Sequence, residues 1–451
     1  MGYNRPMPQS DLLSPQASQD AISAALDHAR RHGATASEAT LGTSAGLSVT
    51  VRMGDLELLK HHRDRGLQVT VFLDRRKGSA STSDLSVGAI ADTVDAALAI
   101  ARHAGEDPFA GLVEAESLAT SNPDLDLFHP WDLEPGEAIR LATECEAVAR
   151  DHDARIENSE GATVRASAGL HAYGNSHGFL KNWRSSAHRM SCAVIARDTT
   201  GMQQDHDYTV ARAAADLAAP AMVGREAATR AVRRLGARRM ATAEVPVLFE
   251  APAAATLFGH FVSAVSGSNL YRRSSFLLDQ IDRPIFPEWL NIDERPFLTR
   301  GLGSRPFDDD GVAPVERPLV AGGILRSYVL GGYSARRLGL KTTGNASGIT
   351  NLVVGHGTDA LGAMIRRLHR GFLLTDLMGF GVNLVSGDYS RGASGFWVEN
   401  GEIQHPVEEV TVAGNLRDMF RSIVAIGADV DRRHAIRTGP VLIERMTLAG
   451  K

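Results

Sequence analysis

The stretch LFGHFVSAVSG, Leu257 to Gly267, holds a histidine in a run with helical spacing. A zinc-peptidase helix places two histidines about one turn apart on one face and adds a glutamate as general base. The zinc lowers the pKa of its bound water to about 7, and the glutamate takes the proton. Here His260 is followed by Phe261, Val262, Ser263, Ala264 and Val265, with neither a carboxylate nor a second imidazole. One histidine cannot hold zinc, and a lone histidine on a helix is more often a hydrogen-bonding or surface group. At 3.6 residues per turn, Leu257, Phe258, Phe261, Val262 and Val265 form one apolar stripe, the spacing of a core-facing helix. Gly259, Ser263 and Ser266 cluster on the opposite face, where small side chains permit close approach of another backbone. His260 lies off the stripe.

Other groups offer weaker chemistry. GDYSRGASGF, Gly387 to Phe396, sets Asp388, Tyr389, Ser390 and Arg391 between glycines. It could line a peptide groove, since glycines admit a second backbone, or it is a tight turn with a buried ion pair. YRRSS, from Tyr271, carries Arg272 and Arg273, which could hold a carboxylate or a partner's acidic rim, or be solvated loop residues. His28 and His32 have the helical spacing of two metal ligands, but they stand in the last turn of a helix, where cations also meet the helix dipole. His61 and His62 are adjacent on a strand and point to opposite faces. Ser390 and Ser394 lie in no G-x-S-x-G elbow, and VVGHGTDALG is a poor phosphate loop.

The elements that must position these groups follow from the rest of the chain. Its 451 residues are enough for two or three domains, with 43% apolar and 22% charged residues. A net charge of −5 leaves no basic footprint for direct nucleic-acid binding. No apolar run approaches the roughly 20 residues that span a bilayer. Two cysteines, Cys145 and Cys192, point to a reducing cytoplasm and exclude a disulfide framework. Residues 1–17 read as a flexible tail. Residues 18–120 read as an α+β domain: a helix from Ser18 to Gly33, a meander LSVTVR, LELLKHH, LQVTVFL with turns at MGD and DRG, then a helix from Ser86. Residues 121–240 read as a middle α+β segment packing with the first, closed by RRLGARRMATAE, a solvated basic connector. Residues 241–451 read as a mainly β domain, a sandwich or barrel with glycine-punctuated short strands. The fold class is therefore α+β, an N-terminal antiparallel sheet with helices followed by a mainly β domain.

The C-terminal half resembles the TldD/PmbA family of bacterial peptidase subunits, specifically its PmbA (TldE) branch. The resemblance rests on LFGHFVSAVSGSNLYRRSSFLLD, GYSARRLGLKTTGNASG, TDLMGFGVNLVSGDYSRGASGFWVENGEIQHPVEEVTVAGNL and VLIERMTLAG, in that order from about Val245 to Lys451. The family implies paired chains in which the TldD-type partner carries H-E-x-x-x-H and a later cysteine as zinc ligands. In this sequence His260 stands at the first position, Phe261 replaces the glutamate and Val265 the second histidine, and IRTGPVLIE has no cysteine. The resemblance thus implies no catalytic or metal residue in this chain and zinc in the TldD-type partner. It also implies unfolded peptides as substrates, and a possible homodimer when the chain is alone. Gly259, His260, Ser263, Tyr271, Arg272, Asp388, Tyr389 and Arg391 are the candidates for lining peptide or partner. Two alternatives stand beside this. One is a self-contained metallopeptidase recruiting His356, His369 or His405. The other is a nonenzymatic binding protein of the gyrase-modulator type.

Overall fold

The computed structural model describes residues 12–450. The N-terminal half runs α1 (Pro15–Arg31), β1 (Ala36–Arg52), β2 (Asp55–Leu73), β3 (Arg76–Thr82), α2 (Val87–His103), α3 (Pro135–Asp151), β4 (Ile156–Asn175), β5 (Leu180–Asp198), β6 (Gly201–Ala211) and α4 (Pro220–Arg233). Its strands form one antiparallel sheet in the order β3-β2-β1-β4-β5-β6. Because β1 pairs with β4, residues on both sides of position 120 share that sheet. Burial alternates along β1 except at Ala45, Gly46 and Leu47, which are buried in succession. Leu41, Leu47, Val49 and Val51 are buried under the helices, while Thr40, Ser44, Ser48 and Thr50 are half-buried on the other face. The helices cover one face in two blocks. Ile22 of α1 and Val94 and Leu98 of α2 pack on Leu41, Val69 and Leu170. Ala142 and Ala149 of α3 and Ala227 of α4 pack on Val49, Val164 and Val194.

Two expectations are corrected here. Of the expected tail, residues 1–11 lie outside the described residues, but Pro15 to Ala17 are already helical. Ser14 caps α1 by accepting the Ala17 N–H at 3.1 Å, and proline at the first helical position costs no hydrogen bond. The DRG stretch is strand, with Asp64, Arg65 and Gly66 opposite Ser44, Thr43 and Gly42. β1 offers a ladder of seventeen residues, and continuous pairing along it outweighs the local turn signal of one glycine. The hairpin turns at the other expected place, MGD, where Met53 and Gly54 both have positive φ (53° and 87°), the requirement of a two-residue loop matched to strand twist. Buried Glu146 of α3 accepts both of their N–H groups, at 2.7 and 2.8 Å.

The C-terminal half contains β7 (Ala243–Phe249), α5 (Ala251–Ala264), α6 (Gly267–Tyr271), β8 (Ile292–Glu294), β9 (Arg317–Ala321), β10 (Ile324–Leu325), α7 (Gly332–Leu338), β11 (Leu352–Val354) and α8 (Leu361–Leu368). It continues with β12 (Gly371–Met378), β13 (Asp388–Glu399), β14 (Glu402–Asn415), α9 (Leu416–Arg421), β15 (Ile423–Ile426), β16 (Ile436–Arg437) and β17 (Val441–Ala449). It is mainly β. Strands β14, β13, β12, β7 and β17 are neighbours in that order, and a further pairing of β14 with β17 closes them into a barrel. A smaller sheet, β10-β9-β8-β11-β16, lies beside it. Alternation sorts the barrel's side chains. Val247, Phe249, Phe372 and Leu374 join the core that holds α5, whereas Leu248 and Leu373 face α8. The halves are tied by polar contacts. The Arg336 guanidinium donates to the carbonyls of Phe109, Gly111 and Leu112, and Arg212 donates to those of Gly301 and Leu302. Among the described residues no helix is long and apolar enough to cross a membrane.

Candidate functional site

The apolar stripe of α5 is where its spacing puts it. Leu257, Phe258, Phe261 and Val265 are fully buried, and Val262 is half-buried against the same core. Phe261 meets Phe286 edge-on at 5.3 Å and Phe420 at 6.2 Å. On the small face, the Ser263 hydroxyl donates to the Gly259 carbonyl at 3.0 Å, so it serves its own helix.

His260 faces β13. Its ring stands perpendicular to that of Tyr389, centroids 6.0 Å apart. His260 Nε2 is sealed from solvent without a hydrogen-bond partner in the chain, and the Tyr389 hydroxyl is sealed beside the Arg391 guanidinium. Burial pushes the His260 pKa down, and the nearby Arg391 guanidinium adds to that, so the imidazole is neutral at pH 7. Burial pushes the Tyr389 phenol up to about 12 against the opposing charge and hydrogen bond of Arg391. The Arg391 guanidinium donates to the Gly379 and Leu377 carbonyls at 3.1 and 3.4 Å.

This arrangement does not fit a zinc ion. A single imidazole faces a fixed guanidinium, and the two positions after it that a metallopeptidase helix would use are sunk in the core as Phe261 and Val265. The C-terminal segment does return to α5, but it brings Ile436, whose Cδ1 lies 3.9 Å from where a Cβ on Gly259 would stand. Among the described residues the one cluster of three or more His, Cys, Asp or Glu side chains with metal-ligand spacing is His28, His32 and Asp95, elsewhere in the fold. His356, His369 and His405 join no such cluster.

One turn before His260, Thr256 lines a cavity of about 140 Å³ between the two halves. Thr375, Asp376 and Arg391 line it from the barrel side, and Asp205, Tyr208 and Arg230 from the N-terminal half. Burial pushes Asp205 up, but Arg230, the His206 N–H and Arg234 more than offset this and hold its carboxyl below the usual range. Arg433, also on the wall, pairs with Asp207 at 2.8 Å and Asp431 at 3.0 Å and covers the Tyr208 ring.

Of the candidates named from sequence, His260, Tyr389 and Arg391 therefore form one group, with Gly259 and Ser263 on the same helix. Asp388 stands apart from Arg391: it is exposed and accepts hydrogen bonds from Ser386 and Asn415. The expected buried ion pair of the GDYSRG stretch does not form, because Gly387 ends a loop and Asp388 to Arg391 are strand, with successive side chains on opposite faces. Tyr271 and Arg272 belong to a different cluster, in which Tyr271 meets Tyr333 edge-on and Tyr333 donates to Asp107 at 2.8 Å.

The basic connector is corrected at its start. Arg233 and Arg234 are not solvated but reach Glu250 and Asp205, at 3.3 and 3.4 Å. Asp205, Arg230 and Thr256 were not foreseen as cavity residues. Their only sequence signal is a carboxylate within a strand and an arginine-rich helix end, and pairing across the chain cannot be read from either alone.

Three family descriptions match in order: PmbA/TldA metallopeptidase domain 1 over residues 38–101, the central domain over 128–235 and the C-terminal domain over 242–450. The chain is 46% identical over 434 residues to metalloprotease PmbA of Escherichia coli O157:H7, covering 96% of each. Its fold matches a Bacteroides thetaiotaomicron protein provisionally described as a modulator of DNA gyrase, at TM-score 0.91 and 26% identity, covering 96% of this chain and 99% of that one. It also matches TldE of Thermococcus kodakarensis at TM-score 0.84 and 20% identity, covering 96% and 100%. With all three domains matched in order and nearly half its residues shared with a full-length relative, the chain belongs to the PmbA/TldA metallopeptidase family.

Proposed function

We propose that this chain is the PmbA/TldE-type subunit of a heteromeric cytoplasmic peptidase whose zinc is held by a TldD-type partner. The observation that carries this is the filling of the motif positions on α5. Phe261 and Val265 are core residues, and Arg391 supplies a positive charge beside the one remaining imidazole. This chain's own residues would then bind and orient an unfolded peptide and close the partner's chamber. The buried, unpartnered Nε2 of His260 is a polar group that a bound main chain could satisfy. Arg391, shared with the 140 Å³ cavity, would place a carboxylate or carbonyl there. Strand addition to an exposed sheet edge would hold a peptide by its backbone without demanding one sequence. The end of β12 and the loop after it also present Met378, Phe380 and Val385 to solvent, Phe380 completely, as an apolar contact for a partner.

The test is co-purification with a TldD-type chain, followed by zinc content and cleavage of an unfolded peptide by each chain alone and by both together. The expected result is cleavage only when the partner is present, with no zinc at α5 and with this chain raising the rate. Tight stoichiometric zinc at α5 and cleavage by this chain alone would establish the self-contained metallopeptidase instead. Complex formation without any effect on cleavage would favour a pure binding role.

A further inference from the structure

The pair His28 and His32, four residues apart on α1, gains a third member that the sequence did not connect to it. Asp95 of α2 places Oδ1 2.9 Å from His28 Nε2. The two imidazoles are stacked, with centroids 3.9 Å apart and planes at 20°. His32 uses Nδ1 to donate to the His28 carbonyl at 2.9 Å, which leaves Nε2 as its free acceptor. That is the arrangement of a metal-ligating histidine, in which one ring nitrogen bonds a backbone carbonyl and fixes the tautomer while the other faces the ion. One ligand atom from each of the three residues lies within 4.8 Å of the others. Small side-chain rotations bring such atoms to the spacing of a tetrahedral shell with bonds of about 2.0–2.1 Å. His28 is largely covered, at 16% side-chain exposure, whereas Asp95 is 54% exposed, so the remaining coordination positions open to water. Helix capping explains neither the stacked rings nor the contribution of a second helix.

We infer that His28, His32 and Asp95 form a binding site for a divalent transition-metal ion of the zinc class. Two imidazoles with one carboxylate suit this class over calcium or magnesium, which take all-oxygen shells. An ion held here joins α1 to α2 across the outer layer of the N-terminal sheet. It replaces the hydrogen bond from His28 to Asp95 with two coordinate bonds. The site has no part in the reaction proposed above and stands or falls independently of it.

The full-length chain, stripped with chelator and dialysed, is titrated with Zn²⁺ against a chromophoric chelator. The expected result is one equivalent bound per chain, with affinity at least tenfold lower in His32→Ala and Asp95→Ala. His61→Ala, an exposed histidine elsewhere on the same sheet, leaves it unchanged. His32→Ala keeps the contact between His28 and Asp95, so its fold without metal matches the unaltered chain by circular dichroism. Zn²⁺ raises the thermal midpoint of the unaltered chain and not that of His32→Ala. Absence of zinc uptake, or uptake with the same affinity in His32→Ala, overturns the inference. So does binding of several equivalents insensitive to His32→Ala and Asp95→Ala, which marks adventitious metal only.

Discussion

Phe261 is the residue at which the metallopeptidase motif and the hydrophobic core make opposite demands. Restoring the motif's carboxylate by Phe261→Glu separates them. Phe261 is fully buried and meets Phe286 and Phe420 edge-on. Truncating such a phenylalanine to alanine costs about 3–5 kcal/mol, of which each aromatic pair accounts for roughly 0.5–1.5. A glutamate there must also stay protonated in an apolar site. Taking up a proton at pH 7 from an ordinary pKa near 4.3 costs about 3.7 kcal/mol more, at 1.36 kcal/mol per pH unit. The sum of about 7–9 kcal/mol is comparable to the whole stability of an ordinary domain, about 5–15 kcal/mol. Phe261→Glu is therefore expected to unfold or nearly unfold the barrel at pH 7 and to regain about 2.7 kcal/mol at pH 5. Phe261→Ala should lose 3–5 kcal/mol at either pH, by the same core-truncation scale. His260→Ala, which removes an unpartnered polar atom, should cost under about 1 kcal/mol. The assay is urea unfolding followed by fluorescence, with Trp397 reporting from the same core. A Phe261→Glu chain as stable as the original at both pH values would refute the reasoning. The position would then face open space, and the case against a metal at α5 would fail.

Arg230 lies between Asp205 and Glu250 at 3.3 and 3.8 Å, with all three side chains largely buried. Arg230→Ala should cost about 3 kcal/mol, softened by Arg234 and Arg233 on the same carboxylates. Arg239→Ala, in a pair more than half exposed at both ends, should cost under about 1 kcal/mol by the same denaturation assay. Burial first, then the Asp310 carboxylate, push the Glu38 pKa up to about 7 despite the hydrogen bond from Tyr173. A raised carboxyl pKa means that the folded chain holds an extra proton between the two values. The stabilisation is complete below about pH 4.5 and is lost as pH rises to 7, amounting to about 3 kcal/mol. Glu38→Gln should remove that part of the slope and stabilise the chain at pH 8, as read from melting midpoints against pH. An unchanged slope would discount burial of the charge. The thiol of Cys192 is pushed up by its hydrogen bond to Cys145 and by burial. Neither cysteine should react with a thiol reagent at pH 8 until denaturant unfolds the chain; a fast native reaction would contradict the packing.

The sequence already specified much of this. The stripe on α5, the alternation of β1 and the helix spacings of α2, α3 and α4 are local periodicities, and burial follows them because each face meets a single solvent or a single core. That α5 carries no glutamate and no second histidine after His260 is a fact of the sequence itself. What it left open was every pairing across the chain. The DRG stretch is strand only because β1 supplies a continuous ladder opposite it. Arg233 and Arg234 leave solvent only because β6 and the start of α5 bring Asp205 and Glu250 to them. His28 and His32 become a three-membered cluster only when α2 packs on α1 and delivers Asp95. Hydrophobic spacing sets which face of an element turns inward. Which charged and polar groups meet there depends on register and helix packing between segments as much as two hundred residues apart, and only the folded chain decides that.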